Sequence, residues 1–203
     1  MEETTTQTDF AFNIVHQDKY SRGELILRTL FGQVYILIPH AFLLFFIGIG
    51  SAILGFISWW AVLFTGVYPR AFFEYKVNAL NWSTRLQARL LNLSDGYPAF
   101  GMQATDEKII INIHYPEKLS QGLLLLRLFF QFIYVIIPHG FCLFFRFIGM
   151  LFVIFIAWWA VLFTGQYPKG LHSFVVGTLR WSTRVSIYLS FLTDKYPPFS
   201  GKV

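Results

Sequence analysis

The sequence predicts an all-α integral membrane protein made of two tandem helical hairpins, four transmembrane spans in all. A short β-strand is expected before each hairpin and an amphipathic interfacial helix after it. Three observations carry this reading. The chain is 55% hydrophobic and only 13% charged, about half the charged fraction of an ordinary soluble domain. Its apolar residues fall in two blocks, Glu24 to Gly66 and Leu123 to Gly165, each about 43 residues and so about two spans of 20. One stretch also recurs: Trp59-Trp60-Ala61-Val62-Leu63-Phe64-Thr65-Gly66 returns as Trp158-Trp159-Ala160-Val161-Leu162-Phe163-Thr164-Gly165. A soluble all-helical core is the alternative, and the run lengths argue against it.

The recurrence covers far more than that stretch. Ser21 to Phe100 aligns without a gap onto Ser120 to Phe199, displaced by about 99 positions with about half the residues identical. Tandem duplication is the expectation. It divides the chain into a polar tail at 1–8, a first repeat at 9–100, a linker at 101–107, a second repeat at 108–199 and a tail at 200–203.

Each repeat opens on period-two alternation, Phe10, Phe12 and Ile14 in the first and Ile109, Ile111 and Ile113 in the second. That period with β-branched and aromatic residues reads as a strand. A lone strand is unstable, so the two should pair with each other or with a partner's edge. The apolar block follows, and Gly48-Ile49-Gly50-Ser51 is its natural place to reverse. The second block has Arg146-Phe147-Ile148-Gly149 there. Gly66 and Gly165 end the spans, and Pro69 and Pro168 start the next helix. In that helix Phe72, Tyr75, Ala79, Trp82, Leu86, Leu90 and Leu93 form a stripe at three- and four-residue steps. Its arginines suit the headgroup layer better than the bilayer core. Turns at Ser94-Asp95-Gly96-Tyr97-Pro98 and Thr193-Asp194-Lys195-Tyr196-Pro197 close the repeats.

Folded as hairpins, the blocks leave almost every Lys and Arg on one side, with Arg146 alone at a tip. The positive-inside rule then makes this a multi-pass membrane protein with both termini cytoplasmic. The net charge of +5 reads as lipid attraction rather than nucleic-acid binding, because the basic residues flank apolar runs. The acidic start, Met1-Glu2-Glu3, is unlike a basic leader, so the first span is expected to serve as the targeting signal. Cys142, the single cysteine, can form no disulfide within the chain.

A resemblance enters on the motif series. Ser21-Arg22-Gly23, Ile38-Pro39-His40, Phe64-Thr65-Gly66 with Tyr68-Pro69, Trp181-Ser182-Thr183-Arg184, Leu192-Thr193-Asp194 and Tyr196-Pro197-Pro198-Phe199 resemble a bacterial membrane-domain family of unknown function, DUF4389. The first repeat departs at Ser94 and Ala99, the second at Gln121. The resemblance implies a bacterial membrane domain and supplies no catalytic residue.

The candidate residues follow from charge in apolar surroundings. His40 and His139 lie after prolines inside the spans, as an intramembrane polar site or as partners for a kinked backbone. Arg28, Arg127, Trp82, Arg85, Trp181 and Arg184 are the candidate lipid or partner contacts, with snorkelling to phosphate the plainer role for Arg28 and Arg127. Asp95 and Asp194 sit in turns and read as caps rather than as a catalytic pair. No catalytic, cofactor or metal residue is expected. The expected partners are membrane lipids, other proteins of a membrane complex and a second copy of the chain. The function expected is a non-enzymatic scaffold or accessory subunit. A small-solute or lipid transporter using the Pro-His kinks is the alternative.

Overall fold

The computed structural model describes residues 10–203; the polar tail expected at 1–8 lies outside them. Two strands, β1 (Phe10–Ile14) and β2 (Ile109–Ile113), pair antiparallel. Phe12 lies opposite Ile111, the residue at its own place in the other repeat. An element that pairs with its equivalent about such a centre sits on a local two-fold axis. The inward side chains are those of the alternating pattern, and Arg180 Nε donates to the Phe12 carbonyl from behind at 2.8 Å.

After β1 the chain enters α1 (Arg22–Gly32), a π-helical turn (Gln33–Leu37) and α2 (Ile38–Thr65). The second repeat has α4 (Gln121–Gln131), a π-helical turn (Phe132–Ile136) and α5 (Ile137–Thr164). Each series is one continuous helix of 44 residues, Arg22–Thr65 and Gln121–Thr164. Ser21 Oγ accepts from the Glu24 N–H and Ser120 Oγ from the Leu123 N–H, both at 3.3 Å, which fixes the helix starts. Gly66 and Gly165, both at φ 72°, end the helices in the left-handed region. The π turns have a local cause. Pro39 and Pro138 bring no N–H and a ring that crowds the preceding turn. One wider turn before them absorbs both, with the Ile38 N–H reaching Gln33 O and the Ile137 N–H reaching Phe132 O.

The reversal expected at Gly48-Ile49-Gly50-Ser51 is absent, since those residues are α-helical. The structure therefore has two helices long and apolar enough to cross a membrane, in place of four spans. Gly50 serves close packing instead, while a Cβ on Gly48 would meet open space. A Cβ on Gly50 would lie 2.5 Å from Tyr75 Oη, and one on Gly55 2.6 Å from Lys76 Nζ. Arg146, expected at a hairpin tip, sits within α5. Its guanidinium lies 4.6 Å from the centre of the Phe174 ring, and its Nε donates to Thr178 Oγ1 at 2.9 Å.

The fold-back comes after the glycine caps. Helices α3 (Arg70–Leu90) and α6 (Lys169–Leu189) return along the long helices. Tyr75 Oη reaches Ile47 O at 3.3 Å, Trp82 meets His40, and beyond the helix end Asn92 meets Arg28. These are the helices expected to lie in the cytoplasmic membrane interface. Of the predicted stripe Trp82, Leu86 and Leu93 are buried within the protein, and so are Phe73, Arg85, Ala88 and Arg89 off it, so α3 is covered on more than the one face expected.

Contacts between repeats are exchanged. The Tyr20 N–H donates to Gly165 O at 2.9 Å, and the equivalent Leu119 N–H donates to Gly66 O at 2.7 Å. Arg22 Nη2 donates to Phe163 O and Trp158 Nε1 to Thr29 Oγ1, both at 2.9 Å. The start of one long helix thus runs against the end of the other, antiparallel. The symmetry is broken where Leu128 replaces a threonine: the indole N–H of Trp59, equivalent to Trp158, is buried without a partner.

Candidate functional site

The repeated polar residues gather inside each repeat, where the turn after α3 or α6 meets the start of the long helix. Arg28 is 6% exposed. Its Nη2 donates to Asp95 Oδ1 at 2.8 Å, Nε to Asn92 Oδ1 at 2.9 Å, and Nη1 to Ser94 O and Glu24 Oε2, both at 3.2 Å. Asp95 Oδ2 accepts the Ser21 N–H at 2.6 Å. The second repeat keeps the aspartate pair but not every contact: Phe191 stands where Asn92 does, and Arg127 Nε is buried without a partner. Arg127, 1% exposed, donates from Nη2 to Asp194 Oδ1 at 2.6 Å and from Nη1 to Thr193 O at 2.9 Å. Asp194 Oδ2 accepts the Ser120 N–H at 2.6 Å. The Tyr188 ring lies 3.9 Å from the Arg127 guanidinium carbon. Each aspartate thereby joins the helix N-cap to a buried arginine about two turns on. Snorkelling, the plainer expectation for these arginines, gives way to internal ion pairs. A guanidinium taken from water needs a close countercharge, and the turn aspartate supplies it.

Arg85 and Arg184 are also directed inward. Arg85 donates to the carbonyls of Ala99 at 3.2 Å, Gly101 at 2.5 Å and Ala104 at 2.6 Å. Arg184 donates to those of Ser200 at 3.2 Å and Lys202 at 2.8 Å. Each gathers the segment that closes its repeat, so the expected headgroup or partner contact is replaced by a contact to the chain's own backbone.

Trp82 and Trp181, grouped with these arginines in the sequence, belong with the histidines. Trp82 Nε1 donates to His40 Nδ1 at 2.7 Å, and Trp181 Nε1 to His139 Nδ1 at 3.0 Å. Both histidines are 0% exposed. Accepting at Nδ1 requires a neutral ring with its proton on Nε2. That Nε2 has no partner in either repeat. Phe100 packs edge-on to His40, and Phe199 stacks on His139 with ring centres 4.0 Å apart. Each ring is held by its own repeat.

One pair went unnoticed in the sequence. His16 and His172, one from each repeat, pack edge to face with ring centres 5.0 Å apart, and the equivalent positions across the two-fold carry Tyr115 and Phe73 at 5.1 Å. His16 Nε2 lies 2.7 Å from Tyr167 O, and His172 Nε2 lies 3.4 Å from Leu93 O. Burial, aided by the neighbouring His16, pulls His172 down to about 4. Comparing the two repeats position by position exposes this exchange of two aromatics for two histidines. Among the described residues no group of three or more His, Cys, Asp or Glu comes together to hold a metal.

Residues 122–201 match a family described as a domain of unknown function, DUF4389. No curated protein and no solved structure matches the chain.

Two predictions follow from these contacts. Asp194→Ala leaves the Arg127 guanidinium buried without its counterion and should cost about 3–5 kcal/mol of unfolding free energy in detergent. Adding Arg127→Met should recover more than half, because the uncompensated charge is gone. A double variant no more stable than the single one contradicts the pairing. For His172, the unfolded chain takes up a proton near 6.5 while the folded chain resists until about 4. Its contribution is therefore complete above pH 6.5 and is lost as pH falls toward 4, by up to about 1.4 kcal/mol per pH unit. His172→Phe, the residue used at the equivalent Phe73, should flatten the acid limb of the thermal stability profile. An unchanged limb contradicts the assignment.

Proposed function

We propose that this chain is a non-enzymatic scaffold or accessory subunit of a bacterial inner-membrane complex, formed by tandem duplication of one fold-back unit. Both termini, the strand pair and the outer faces of α3 and α6 lie on the cytoplasmic side. One observation carries the reading. The repeated charged side chains are directed at partners within the chain, Arg28 at Asp95, Arg127 at Asp194, and Arg85 and Arg184 at carbonyls. The long helices meanwhile present phenylalanines such as Phe45, Phe56, Phe64, Phe144, Phe155 and Phe163 outward. Chemistry needs polar groups aimed at a substrate. An exposed aromatic surface suits lipid and packed protein neighbours. The edges of a two-stranded sheet offer a further place for a partner segment to add.

A second reading, a transporter or lipid-handling protein, is favoured by one observation. The partnerless Nε2 of His40 and His139 lies just past the π-helical turns, and such turns frequently mark functional sites.

Native purification in mild detergent, followed by mass spectrometry, separates the two readings. The scaffold reading expects a stoichiometric protein partner that survives His40→Ala and His139→Ala. Free monomer, together with solute or lipid movement abolished by either substitution, contradicts it.

A further inference from the structure

The placement of the long helices against their return helices sets how the chain can sit in lipid, given the membrane reading above. No charged residue occurs between Arg28 and Arg70. Along that run large apolar side chains are exposed from Leu30 through Ile38, Phe45 and Ile53 to Phe64, with Thr29, Gln33 and Thr65 the exposed polar side chains near its two ends. At 1.5 Å per residue the stripe is about 51 Å long. The hydrocarbon core is about 30 Å thick. Tilted by about 40°, the upper end of what is seen for spans, the stripe would still be longer than the core.

The second constraint is α3. It runs beside the long helix from Ile47 back to Arg28, held at Tyr75, Trp82 and Asn92. Its outward residues Arg70, Glu74 and Asn78 line one open groove with Asn112, His114 and Glu117. If the long helix stood across the bilayer, α3 would stand beside it. Several of these groups would then enter the hydrocarbon, at several kcal/mol for each ionised one. The two-fold adds a third constraint. Antiparallel helices that crossed the membrane would carry the arginine-rich α3 and α6 in opposite senses across it. Laid in the plane with the axis along the membrane normal, both face the same leaflet.

We propose that the two long helices lie in the membrane plane within a single leaflet. Their apolar stripes contact that leaflet's acyl chains, and α3, α6 and the strand pair face the headgroups. The binding partner of this surface is one leaflet of a lipid bilayer, entered from one side and not crossed. Arg146 fits, because its guanidinium is turned from the stripe onto Phe174 and Thr178.

The test uses the full chain in vesicles of phosphatidylethanolamine and phosphatidylglycerol. With Cys142→Ser as background, single cysteines replace Leu30, Phe45, Phe64 or Gln87, all exposed. Each carries a spin label whose depth is read from oxygen and nickel accessibility. The expected result is one common shallow depth, about 5–10 Å below the headgroups, for the three stripe labels, with the Gln87 label in water. A label at Phe45 near the bilayer centre, with Leu30 and Phe64 at opposite surfaces, overturns the in-plane placement and leaves the membrane reading standing. Failure of the chain to float with the vesicles overturns both.

Discussion

A helix surrounded by apolar groups must satisfy its own backbone, and the rest of the structure depends on that constraint. Where no water reaches an N–H or C=O, a break in the ladder costs several kcal/mol. The 44-residue helices therefore run through their glycines without turning. They accept Pro39 and Pro138 by widening one turn each, so that Ile38 and Ile137 bond five residues back. They reverse only at Gly66 and Gly165, where a left-handed residue closes the helix. The connection then passes through Tyr-Pro into α3 or α6.

Once the helix is unbroken, the polar residues have one place to go. Arg28, Arg127, His40 and His139 all lie on the face that meets the return helix, and all are buried there. Buried charge needs a close countercharge and partners for most of its donors, and Arg127, whose Nε has none, lies against the Tyr188 ring. Asp95 and Asp194 supply the first and also hold the amide N–H of the cap residues Ser21 and Ser120. The closing turn, the helix start and the buried guanidinium thus form one unit in each repeat. Trp82 and Trp181 complete the face by donating to neutral histidines.

Much of this is legible in the sequence, and the failures have physical reasons. The strands showed as period-two alternation, and the stripe of α3 and α6 as three- and four-residue steps, because side-chain direction follows backbone period. Gly66, Gly165, Pro69 and Pro168 marked ends and starts correctly. Gly48 and Gly50 misled, because a glycine that permits a turn cannot be told in one dimension from one that admits a neighbour. Gly50 does the latter, for Tyr75. The blocks also matched two spans by length alone, a count that ignores what lies beside them. The Arg28–Asp95 and Arg127–Asp194 pairs were hidden by a separation of about 67 residues, although both members recur in step. The histidine pair at 16 and 172 was hidden because it forms only across the two-fold.

The central claim is that each apolar block is one helix, and an intramolecular distance tests it most directly. Spin labels at Ile26 and Phe64, both exposed on the same long helix, should lie about 55 Å apart by pulsed dipolar spectroscopy. A distance of about 20 Å, as a reversal near Gly50 would give, contradicts the unbroken helix and the fold-back built on it.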